Sequence, residues 1–120
     1  MMAFLLPVSA LEMRADDKEQ IKKIPLWIDD GLILRRDLTI VPIDSYYNGI
    51  MGCVCTSCVG DLGEVELIVI NTFTGESWSS FFDSASSHQF VLPISGSPGY
   101  YEIEYITESG DVYVGEFLIE

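Results

Sequence analysis

Ser97-Pro98-Gly99-Tyr100-Tyr101-Glu102-Ile103 is the stretch on which the fold turns. A Pro-Gly turn delivers the chain into a strand whose alternate residues Tyr101, Ile103 and Tyr105 share one face. An inward tyrosine at the start of the penultimate strand, its hydroxyl reaching back to the preceding loop, is the tyrosine corner of immunoglobulin-like sandwiches. The next stretch, Asp111 to Ile119, turns around Ser109-Gly110 and alternates too, with Tyr113, Phe117 and Ile119 inward and Glu116 outward.

Upstream, Glu64 to Asn71 (EVELIVIN) is the most β-prone segment, and its apolar residues on both faces predict a central strand. Thr74-Gly75 turns it into Glu76 to Phe82, and a serine-rich loop leads to a strand over His88 to Ile94. Asn48-Gly49 opens a strand over Ile50 to Cys55. Leu38 to Ile43 is extended, and Pro42 implies an edge or a change of sheet. Asp29-Asp30-Gly31 is a hairpin-type turn after Ile24-Pro25-Leu26-Trp27-Ile28, an edge strand because Pro25 cannot donate to a ladder. No helical period interrupts this series. The expected fold is all-β: an immunoglobulin-like or fibronectin III-like antiparallel β-sandwich of about seven strands, formed by residues 24–120.

Before that domain, residues 16–23 read as a polar tether and residues 1–15 as a partial signal peptide. Met1 to Leu11 is uncharged and apolar, as a secretory h-region is, and small residues at Val8-Ser9-Ala10 and Met13-Arg14-Ala15 suit cleavage. The basic n-region is missing, so the native start is expected upstream. The expected location is secreted, periplasmic or at the cell surface.

Several of these features converge on a known pattern. The signal-like start, Ile24-Pro25-Leu26, Ile43-Asp44, the Thr74-Gly75-Glu76 turn and the closing Pro98-Gly99-x-Tyr101 … Gly115-Glu116-Phe117 frame are its parts. The chain resembles a family of small exported Bacteroidetes proteins of unknown function, each an immunoglobulin-like sandwich. The resemblance runs over residues 24–120 and is most specific in the closing frame. It implies an envelope or secreted location and transfers no catalytic residue. This chain departs from the pattern in its clustered cysteines and its lack of basic residues.

That lack is pronounced. Asp37 to Glu120 contains no lysine or arginine, whereas 13 of the 19 acids lie there and the formal net charge is −13. This bars most nucleic-acid and anionic-membrane partners, because phosphate binding rests on Lys and Arg displacing counterions. No apolar run is long enough to span a bilayer as a helix. The 48% hydrophobic content supports a packed core without metal or disulfide, so no cofactor is expected.

Two constellations bear on chemistry. Cys53-Val54-Cys55-Thr56-Ser57-Cys58 is dense in thiols, and zinc or copper are the metals such ligands suit. On a strand Cys53 and Cys55 face the same way, with Cys58 closing from the loop, but His88 is the only histidine and a fourth ligand is missing. Plain buried thiols and a Cys55–Cys58 disulfide are the alternatives.

The second constellation is carboxylate. Glu64 and Glu66 lie on one strand, Glu102 and Glu104 on another, and Glu116 on the last; sandwich topology makes these strands neighbours. Their shared outer face is either a solvated surface, a site for a cationic partner, or a weak Ca²⁺ site.

Asp83, Ser86, Ser87 and His88 hold the residue types of a hydrolytic triad, but neighbours on an extended chain face opposite ways and no nucleophile elbow exists. Tyr46, Tyr47, Trp78, Phe81, Phe82 and Tyr100 outnumber what one core accommodates, which leaves rings for a binding patch. The expected function is a non-catalytic binding or structural module for protein or glycan, with metal binding through Cys53, Cys55 and Cys58 as the alternative.

Overall fold

A computed structural model of the chain describes residues 21–29, 34–35 and 41–120. Within it, Pro25 is where the chain changes sheets. Strand β1 (Ile21–Ile24) pairs antiparallel with β4 (Ile43–Asn48), and the next residues form β2 (Leu26–Asp29), which pairs with the last strand, β10 (Val112–Ile119). A ring that fixes φ and removes the N–H suits a residue lying between two ladders. The ladder thus begins at Ile21, inside the expected tether; the expected signal peptide lies outside the described residues.

The other strands are β3 (Leu34–Arg35), β5 (Cys53–Cys58), β6 (Glu64–Asn71), β7 (Ser77–Asp83), β8 (Gln89–Pro93) and β9 (Gly99–Ile106). They form a small sheet, β1-β4-β5-β8, and a large one, β3-β2-β10-β9-β6-β7. Without β1 to β3 the sheets read β4-β5-β8 and β10-β9-β6-β7, the seven strands of a fibronectin III-like sandwich.

Alternation explains the layering. In β6, Val65, Leu67 and Val69 are fully buried inward residues, and Glu66, Ile68 and Ile70 point out. They meet Val54 of β5, Leu92 of β8, and Ile103 and Tyr105 of β9 in one core. Tyr101 is fully buried, stacks on Phe117 at 4.9 Å, and donates its hydroxyl to the Ser97 carbonyl at 2.6 Å. That is the tyrosine corner. A Cβ on Gly99 would land on the Asn71 side chain, so only glycine lets this strand start pass the β6–β7 turn.

Two strand expectations shift. β5 begins three residues later than Ile50, because Asn48 to Gly52 close a turn: Gly52 N–H donates to the Asn48 carbonyl at 2.8 Å, and Gly52 has φ 69°. The Asn48 side chain completes it by accepting from Ile50 and Met51. Of the expected Leu38–Ile43 strand, residues 38–40 lie outside the described residues, Val41 and Pro42 are not in a strand, and β4 starts at Ile43.

Candidate functional site

The large sheet sets β6, β9 and β10 side by side, as sandwich topology required of the strands bearing the glutamates. Register then decides which carboxylates meet. Ile70 stands opposite Glu102, and Glu102 opposite Glu116; Ile68 stands opposite Glu104, and Glu104 opposite Val114. Val114 in turn faces Trp27 of β2. These side chains all project from the outer face, away from the core.

Together they shape a groove of about 310 Å³. Ile68, Ile70 and Val114 give it an apolar floor, Trp27 an aromatic side, and Glu102, Glu104 and Glu116 its charge. Glu102 and Glu116 are a like-charge pair at the closest cross-strand position. Tyr100 is hydrogen-bonded to Glu116, and this pushes the tyrosine pKa above its ordinary value. A carboxylate accepting from a phenol holds the phenolic proton in place.

The five glutamates do not gather equally. Glu66 shares the face but stands opposite Ile106 and Phe81, outside the groove. Glu64 pairs with Asp83 at the end of β6, beyond the β9 ladder, and its N–H donates to Glu108 at 2.9 Å. Sequence reading missed the groove's apolar part. Its trace was the run of apolar residues on both faces of EVELIVIN, read there only as a sign of a central strand.

The cysteines separate. All three are free and lie in β5, not on a strand and a following loop. Val54, Thr56 and Cys58 face the core, whereas Cys53 and Cys55 face out beside Tyr46 and Val91. The three-thiol site and the Cys55–Cys58 disulfide are both corrected by this: period-two alternation puts residues three apart on opposite faces. Among the described residues no three Cys, His, Asp or Glu side chains come together to hold a metal ion.

The serine-rich loop makes no triad. Ser84 is buried and donates to the Gly63 carbonyl at 2.9 Å, Asp83 accepts from Ala85 and Ser86, and His88 is exposed. The surplus aromatics divide as well. Tyr47, Phe82 and Trp78 join or flank the core, while exposed Tyr46 and Phe81 lie on the outer faces of different sheets. No helix of the described residues is long and apolar enough to cross a membrane.

No family model matches the chain, and no curated protein does. Among solved structures it is similar to a DUF3244 family protein with an immunoglobulin-like β-sandwich fold from Bacteroides vulgatus, at 14% identity and a TM-score of 0.64. The likeness covers 83% of this chain and 99% of that one. At such low identity it speaks for the fold, and it agrees there with the resemblance seen in the sequence: this chain folds as an immunoglobulin-like β-sandwich.

Proposed function

We propose that the protein is an exported, non-catalytic binding module of the cell envelope, and that its large sheet receives a basic, partly apolar segment of a partner protein. The observation behind this reading is the groove, where Glu102, Glu104 and Glu116 surround Ile68, Ile70 and Val114. Apolar floor desolvates a partner's side chain, while the carboxylates favour Lys or Arg beside it. The charge balance of the chain fits, since Asp37 to Glu120 holds no cation of its own to compete. Catalysis by the glutamates does not suit such a surface, because acid–base work requires one carboxyl buried with a raised pKa.

The test is capture from envelope extract on immobilised protein, with elution by monovalent salt. A Glu102→Gln/Glu116→Gln variant is expected to lose the salt-eluted protein. Equal capture by the variant, or capture of neutral glycan only, would overturn the reading.

A further inference from the structure

The outer face of the small sheet presents a feature that the groove does not use. Cys53 and Cys55 lie two apart on β5, and their sulfurs stand 3.7 Å from each other. Cys53 is 3% exposed and stands outside the core cluster. Cys55 is half-buried and opens into a hollow of about 100 Å³ between Tyr46, Ser57, Gln89 and Val91. Tyr46 stands directly opposite Cys55 in the β4–β5 ladder and is hydrogen-bonded to it.

We propose that Cys53 and Cys55 form a two-thiolate site for a monovalent soft metal ion of the copper(I) class. Thiolate sulfur selects copper(I), zinc and iron–sulfur centres from the available metals. A metal–sulfur bond of about 2.3 Å bridges sulfurs 3.7 Å apart at an S–metal–S angle of roughly 107°. Outward rotation of the half-buried Cys55 widens that angle toward the linear arrangement that two-coordinate copper(I) prefers. Zinc would keep only half of its tetrahedral shell from the described residues, because Cys58 faces the core and among those residues no third ligand joins the pair.

On binding, two S–H protons leave as two copper–sulfur bonds form, and no electron changes hands. The Tyr46 hydroxyl remains hydrogen-bonded to the Cys55 sulfur and orients it, as outer-shell donors do at metal sites.

The experiment is competition of the full chain against a coloured copper(I) bis-chelate at neutral pH, read as loss of the chelate absorbance. The wild-type chain and Cys58→Ser are expected to withdraw copper(I) with the same affinity. Cys53→Ser and Cys55→Ser are expected to abolish the withdrawal, and Tyr46→Phe to weaken it about tenfold. Melting curves of each variant separate loss of the site from loss of the fold, and half-buried Cys55 tolerates serine best. Failure of the wild-type chain to compete would sink the proposal. So would copper retained by a folded Cys53→Ser/Cys55→Ser variant, which would place the ion on other side chains. Tighter binding of zinc than of copper(I) would overturn it too.

Discussion

The hydroxyl of Tyr105, on β9 of the large sheet, sits 2.7 Å from Ser45 Oγ and 2.6 Å from Thr56 Oγ1 on the small sheet. All three residues are buried, so this is a polar tie between layers, and each hydroxyl there needs a partner. Burial pushes the Tyr105 pKa up to about 12, against the lowering effect of the two hydrogen bonds. The folded state therefore holds this proton more tightly than the unfolded chain does, where the pKa is 10.0. Its contribution is complete below about pH 10 and disappears as pH rises through about 12, a loss on the order of 3 kcal/mol. Urea unfolding across that range is expected to show it. Tyr105→Phe is expected to cost about 1–3 kcal/mol at neutral pH, by orphaning Ser45 and Thr56, and to flatten the alkaline loss. An equally steep alkaline loss in the variant would assign it to another group. Tyr101 was legible from sequence because its partner, Ser97, is four residues away in the turn that precedes it. The partners of Tyr105 were not, since 60 and 49 residues separate them from it.

Strand register governs the next scale. The β9–β10 hairpin pairs Glu102 with Glu116, a like-charge contact that the alternation of each strand does not reveal by itself. Glu116→Lys converts it into an opposite-charge pair and is expected to stabilise the fold by about 0.2–1 kcal/mol, measured by urea midpoint in low salt. The same substitution is expected to weaken capture of the basic partner, so stability and binding move in opposite directions. A variant that unfolds more easily would show that Glu116 is held by its tyrosine contact more than it is repelled by Glu102. β9 and β10 were legible within a residue or so because each alternates between turns containing Gly or Pro, and β6 because its β-prone run is bounded by Gly63 and the Thr74-Gly75 turn. β5 was misplaced because its cysteines, Val54 and Thr56 suit either face, leaving the Asn48 turn to set the phase.

Across the whole molecule, net charge of −13 opposes compaction wherever counterions are dilute. The described residues contain one ion pair, Lys23 with Asp44 at 3.0 Å, and both side chains are exposed. Such a pair adds little. Raising monovalent salt to about 1 M, where screening acts beyond about 3 Å, is expected to raise the melting temperature. Ca²⁺ at matched ionic strength is expected to add nothing further, since no cluster of three ligands was formed among the described residues. A calcium-specific rise would reveal a site that the separate carboxylates do not suggest. By itself the sequence determined the layered all-β fold, the tyrosine corner and the one-sided charge. These follow from period-two alternation, local turn chemistry and composition, all of which act over a few residues. Only the tertiary structure decided that Glu102 faces Glu116 over an apolar floor, that Cys58 turns away from Cys53 and Cys55, and that Tyr105 bridges the sheets. Those depend on register and on layers meeting, and the forces that set them act between segments far apart along the chain.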